Sequence, residues 1–170
     1  TSQQYDWERK VVFTADNDGF KFENDSWLME KRLLSAYAPG QVYLSRFVNS
    51  ADANTQLLNR WLDGALLVNY VGHGSIKNWA TEFLLADTDV GTLSNPTGLP
   101  VVFSLDCLDG YFVNTDNSFD CLAEQLLRKP GGAVAVWASS GQTSSFSKSE
   151  MGKAFYDAIF KHDVRVLGDA

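Results

Sequence analysis

Several residue types are scarce in this chain of 170 residues, and each scarcity excludes a class of protein. Its two cysteines lack the spacing of zinc ligands and are too few for a disulfide framework, so we expect no metal. Lysine and arginine number 14 against 21 acidic residues, and the net charge of −7 leaves no basic surface for nucleic acid. No apolar run reaches the roughly 18 residues that span a bilayer.

Known signatures of other protein classes are also missing. The first residues lack the basic and apolar regions of a signal peptide. Neither a glycine-rich phosphate loop nor the G-x-S-x-G motif of serine hydrolases occurs, so we expect no nucleotide cofactor, and no cofactor of any other kind. Because the chain starts without methionine and stops at Ala170 without a tail, we interpret residues 1–170 as a single domain of a longer precursor.

What the sequence does contain is an alternation of apolar strands with helical segments. A hydrophobic content of 45% is typical of a folded protein, and the β-α-β order favours a mostly parallel sheet between helices. We therefore predict an α/β fold, a three-layer α/β/α sandwich. The predicted strands are Lys10–Ala15, Gln41–Leu44, Ala65–Val71, Leu99–Leu105 and Ala133–Ala138, and the predicted helices are Asp25–Tyr37, Asp52–Asp63, Asp87–Leu93, Ser118–Lys129 and Glu150–Lys161.

Two of these strands lead into reactive side chains, His73 and Cys107. Both strands are continuous apolar runs, as expected for central strands of a parallel sheet, whose carboxyl ends meet at one edge. The flanking residues Gly72 and Gly74 allow a sharp turn beside the histidine. A thiol beside an imidazole is the minimum requirement for a nucleophile with its base, so this pair predicts covalent catalysis. Cys121 lies within a predicted helix, where packing is the simpler interpretation.

The segments around these residues resemble the gingipain-like cysteine peptidases, family C25 of the caspase-like clan. The resemblance runs from about Val11 to Ala170 and includes the segments 69–75 (NYVGHGS), 99–112, 121–127 and 131–136. It implies a caspase-like fold and a cysteine endopeptidase acting on a polypeptide substrate. It also implies a location outside the cell or in the cell envelope, and the remainder of the precursor is a possible partner.

The resemblance further implies roles for individual residues. His73 would be the base, Cys107 the nucleophile and Asp16 the acidic support of the imidazole, while the backbone N–H groups of Gly74 and Cys107 would bind the oxyanion. Gingipain-type enzymes that cut after arginine carry an acidic residue near the start of the first helix, and Asp25 is its nearest match in this chain, allowing a short gap in the comparison. An N-cap of that helix is the alternative role for Asp25. The walls of the substrate pocket would be Asp25, Leu105 and the loop that ends at Phe146.

One departure from the family pattern leaves other functions open. Where the family has a small residue before the cysteine, this chain has Asp106, and an adjacent carboxylate raises the pKa of a thiol. Strand alternation should direct Asp106 to the face opposite Cys107. The alternatives are a sortase-like transpeptidase of a secretion system, in which an amine resolves the acyl-enzyme, and a non-catalytic binding module of caspase-like fold.

Overall fold

β-Branched and aromatic residues form the central sheet of the computed structural model, which describes residues 6–113 and 119–170. All strand pairs in this sheet are parallel. A separate two-stranded antiparallel hairpin follows the third strand. The sheet comprises β1 (Lys10–Ala15), β2 (Ala38–Tyr43), β3 (Leu67–Val71), β6 (Val101–Leu105) and β7 (Ala135–Trp137) in the order β2-β1-β3-β6-β7, and the hairpin comprises β4 (Asn78–Trp79) and β5 (Leu85–Ala86).

Helices cover both faces of the sheet, because successive residues of each strand point to opposite sides. In β1, Val12 packs into one apolar cluster with α2 and α4, whereas Val11 and Phe13 pack into the other with α1 and α5. The predicted three-layer α/β/α fold class is therefore confirmed. The helices are α1 (Phe20–Glu30), α2 (Ser50–Leu62), α3 (Asp87–Val90), α4 (Leu122–Arg128) and α5 (Ser145–Phe160), with short 3-10 helices at Asp6–Arg9, Leu44–Arg46 and Leu167–Asp169.

The first helix begins earlier than predicted. Gly19 precedes it with a φ of 122°, a conformation that glycine adopts without strain, and the chain then enters α1 at Phe20. Asp25 consequently lies inside the helix, one turn after Lys21, whose ammonium it binds. The predicted N-cap role of Asp25 is therefore wrong, and the helix also ends at Glu30 rather than Tyr37.

The last helix also begins before its predicted start at Glu150. The hydroxyl of Ser144 accepts a hydrogen bond from the backbone N–H of Ser147 at 3.3 Å and so caps α5. This start adds a turn and a half to the helix and includes Lys148 in it. The predicted start of α4 at Ser118 lies outside the described residues.

Trp61 is a stability determinant of the α2 face. Its side chain is fully buried and its Nε1–H donates to the carbonyl of Gly132 at 2.9 Å. We predict that Trp61→Phe lowers the free energy of unfolding by about 1–3 kcal/mol, because it leaves a buried carbonyl without a donor. The half-exposed Trp27 provides the control: Trp27→Phe should change stability by no more than about 0.5 kcal/mol in the same urea titration. Equal losses in both variants would contradict this role of Trp61.

Candidate active site

The parallel pairing of β3 and β6 brings the two predicted catalytic residues to one edge of the sheet. Val71 and Leu105 are register partners at the ends of these adjacent strands. His73 and Cys107 each follow two residues later, so they leave the sheet at equivalent positions. The backbone N–H of Gly72 donates to the carbonyl of Leu105 at 3.4 Å and continues the pairing toward the site. The carboxyl edge therefore carries both the imidazole and the thiol.

The backbone of His73 is fixed from both sides. Its N–H donates to a carboxylate oxygen of Asp16 at 3.0 Å, and its carbonyl accepts from the hydroxyl of Tyr70 at 2.6 Å. Its ring, by contrast, is 57% exposed and contacts the ring of Phe22 edge to face, with centroids 5.1 Å apart. A fixed backbone with an accessible ring suits a group that exchanges protons with a substrate.

Two aspartates serve His73 in different ways. Asp16 is fully buried, and its carboxylate accepts from the backbone N–H groups of Asp18 and His73, each at 3.0 Å. The carboxylate nearest the ring is that of Asp18, with 3.7 Å between Oδ2 and Nε2, and the Asp18 side chain is 69% exposed. The sequence analysis named only Asp16. The spacing Asp16-Asn-Asp18 in one turn was the signal for the second carboxylate.

The thiol of Cys107 has polar neighbours from the start of α5 and the loop before it. Lys148 Nζ donates to Sγ at 3.2 Å, and Sγ lies 3.8 Å from the carbonyl oxygen of Thr143. Burial raises the pKa of the thiol, but the polar groups of Thr143 together with the hydrogen bond and positive charge of Lys148 outweigh it, so the pKa of Cys107 is lowered from its ordinary value. Such a thiol is more readily ionised, as a nucleophile requires. Lys148 was missed by the sequence analysis, which assigned it to no element because the last helix was predicted to begin at Glu150.

Asp106, directly before the cysteine, is fully buried, and its surroundings disfavour the charged form that would oppose ionisation of the thiol. Burial raises the pKa of this carboxyl well above its ordinary range, and the nearby Asp109 raises it further. The carboxyl fills the space that a Cβ at Gly74 would need. Gly74 is thus the residue that allows the histidine loop to lie directly against Asp106, so the departure from the family pattern is matched by close packing.

Candidate donors for an oxyanion are the N–H groups of Gly74 and Cys107. Within residues 6–113 and 119–170 neither N–H has a hydrogen-bond acceptor. Leu108, directly after the cysteine, has a φ of 69°, a left-handed conformation that turns the chain sharply at this point. Both donors can therefore serve an incoming oxygen atom.

The three predicted substrate-binding residues differ in their surroundings. Asp25 is buried and bound to Lys21. Leu105 lies in the core against Gly152 of α5, whereas Phe146, in the first turn of that helix, is 70% exposed.

In the described part of the chain, no group of three or more His, Cys, Asp or Glu side chains could hold a metal ion. No helix among the described residues is long and apolar enough to cross a membrane.

The raised pKa of Asp106 has a measurable consequence for stability. A carboxyl whose pKa is higher in the folded state stabilises the fold while it is protonated. That stabilisation is lost progressively as the pH rises above 3.8, the pKa of the carboxyl in the unfolded chain. We predict that Asp106→Asn, which keeps the shape without the titration, gains stability relative to the wild type as the pH increases from about 4. Urea titrations of both proteins at several pH values measure this difference. A difference in the free energy of unfolding that does not change with pH would contradict the raised pKa of the Asp106 carboxyl.

Comparisons with known proteins agree with this geometry. The model of peptidase family C25 matches residues 1–170. Gingipain R2 of Porphyromonas gingivalis strain ATCC 33277 is 38% identical over 132 residues, which are 75% of this chain and 17% of that protein. Gingipain R1 of Porphyromonas gingivalis is also 38% identical over 132 residues, covering 75% of this chain and 12% of that protein. The chain thus spans less than a fifth of these relatives.

Solved structures show the same fold. The crystal structure of the Arg-specific cysteine proteinase gingipain R (RgpB) superposes with a TM-score of 0.80 at 23% identity, covering 93% of this chain and 38% of that one. A complex of the Porphyromonas gingivalis RgpB pro- and mature domains gives a TM-score of 0.71 at 22% identity, covering 91% of this chain and 37% of that one. The predicted caspase-like architecture is thus confirmed. Because the family model extends over its whole length, the chain belongs to peptidase family C25.

Proposed function

We propose that this chain is the catalytic part of a cysteine endopeptidase, with Cys107 as nucleophile and His73 as base. The observation that carries the proposal is the β3–β6 register, which puts both residues at equivalent positions on one sheet edge. Family membership and the lowered pKa of the Cys107 thiol support it. A binding module would need neither an ionisable thiol nor an accessible imidazole beside it.

The proposed reaction is acyl transfer through the thiol. The Cys107 thiolate attacks the scissile carbonyl carbon and forms the S–C bond, while the carbonyl oxygen becomes an oxyanion that the N–H groups of Gly74 and Cys107 stabilise. His73 holds the thiol proton and gives it to the leaving amine as the peptide C–N bond breaks. Water then hydrolyses the thioacyl-enzyme and restores the thiol.

Specificity for a cationic substrate residue is the finer part of the proposal. The solved relative RgpB is an Arg-specific proteinase. In this chain Asp25 is a buried carboxylate in the middle of α1 that already holds one cation, the Lys21 ammonium. A substrate guanidinium could replace that ammonium and bind the carboxylate in a bidentate manner. We include Leu105 and Phe146 as walls of the proposed pocket; Leu105 is buried and Phe146 is exposed.

Two broader expectations also remain proposals. An extracellular or cell-envelope location follows from the family resemblance. The complex of RgpB pro- and mature domains makes another segment of the same precursor a reasonable partner, because the present chain covers 37% of the solved chain.

We predict that Cys107→Ala and His73→Ala each reduce peptide cleavage on the order of 10³-fold or more, because nucleophile and base act as a unit. Fluorogenic peptides ending in arginine, lysine or a neutral residue measure the activity and its preference. Matched controls are Cys121→Ala and His162→Ala, which lie outside the site and should retain activity. Turnover by Cys107→Ala would refute the mechanism, and an amine-linked product with added amine would indicate transpeptidation.

A second prediction separates the roles of the two aspartates. Asp16→Asn should lower kcat by about 10²-fold, because it weakens the hydrogen bonds that position the histidine backbone. Asp18→Asn should cost less than about tenfold, because the ion pair that it removes is exposed and screened. Steady-state kinetics at low ionic strength on variants of equal thermal stability provide the comparison. A larger loss for Asp18→Asn would assign the support of the imidazole to Asp18.

A further inference from the structure

Lys148 lies at the centre of the candidate site although no sequence motif marks it. It occupies the second turn of α5, its exposed fraction is only 6%, and its Nζ donates to Cys107 Sγ at 3.2 Å. Lysine is rarely buried without a compensating charge, because removing an ammonium from water is costly. The negative partner of Lys148 therefore has to be found among its neighbours.

The acidic groups around Lys148 leave the thiolate as its best partner. Among the described residues, no carboxylate forms an ion pair with Lys148. Asp106 interacts with it electrostatically, but burial and Asp109 raise the pKa of the Asp106 carboxyl well above its ordinary range and so favour its neutral form. The other titratable groups at this edge are His73, after β3, and Asp16 and Asp18, in the loop after β1; Asp18 lies beside the exposed imidazole. Sγ is the atom that accepts the hydrogen bond of the ammonium.

We propose that Lys148 is a positioning residue that holds Cys107 as a thiolate before substrate binds. The thiol proton passes from Sγ to His73, and the Lys148 ammonium stabilises the remaining negative charge on sulfur. His73, whose ring is exposed beside Asp18, is then free to protonate the leaving amine. The inference deepens the proposed function, on which its catalytic meaning rests, but the ionisation state of the thiol can be measured without any peptide substrate.

The test is the pH dependence of alkylation by iodoacetamide, in which Sγ displaces iodide from carbon. Lys148→Met keeps the length and the apolar stem but removes the charge, Lys148→Arg keeps the charge, and Lys161→Met removes an exposed charge from the end of the same helix. We expect the titration midpoint of Cys107 to rise by about one pH unit or more in Lys148→Met. Lys148→Arg and Lys161→Met should stay near the wild type.

A midpoint that is the same in Lys148→Met and the wild type would overturn the inference. Mass spectrometry identifies the alkylated residue; burial raises the pKa of Cys121 to about 11, so that thiol should react little. If Lys148→Met does not fold, the wild type decides: the ultraviolet absorbance of a thiolate, taken as the difference between the wild type and Cys107→Ala at neutral pH, should be present, and its absence refutes the inference. If the midpoint shifts in Lys148→Met but the wild type cleaves no peptide, the inference stands and the proposed function is refuted. If the wild type cleaves peptides but the midpoint does not shift, the proposed function stands and the inference is refuted.

Discussion

The parallel pairing of β3 with β6 is the constraint on which the rest of the site depends. It aligns Val71 with Leu105, so two chain segments leave the sheet side by side and carry His73 and Cys107 to the same edge. A shift by one residue would direct one of the two side chains to the other face of the sheet, because side chains alternate along a strand. The register is held by apolar residues on both faces, which leaves the polar groups at the strand ends free to form the site.

Buried carboxyls at these strand ends hold the loops by two different means. Asp16 accepts two backbone N–H groups and thereby connects the loop after β1 to the loop after β3. Asp106 makes no side-chain hydrogen bond within the described residues, and it contributes shape: it lies where a side chain at Gly74 would be. One carboxyl fixes its neighbours by hydrogen bonding and the other by close packing, and both act on the loop that carries the imidazole.

Much of this arrangement could be predicted from the sequence, because apolar runs followed by His73 and Cys107 specify central strands and their ends. The start of α5 could not, since a cap by Ser144 in a run of serine and threonine has no distinct pattern. That error hid Lys148, whose role depends on a contact between residues 41 positions apart. Likewise, the Lys21–Asp25 ion pair was not predicted, because it requires α1 to begin directly after Gly19 and the sequence analysis began that helix at Asp25. The apolar runs of the sequence were enough to predict the strands, whereas the partners of the charged side chains depend on tertiary contacts that no local pattern shows.

Charge balance explains why the lysine belongs at this edge. The chain has a net charge of −7, and four aspartates lie close to the strand ends: Asp16, Asp18, Asp106 and Asp109. A thiolate in such surroundings would be destabilised by like charge. Two features offset this effect: burial raises the pKa of Asp106 and so favours its neutral form, and Lys148 supplies the buried positive charge directly at Sγ. Asp106 is therefore compatible with an ionised thiol, because it packs against Gly74 while its burial disfavours the charged form of its carboxyl.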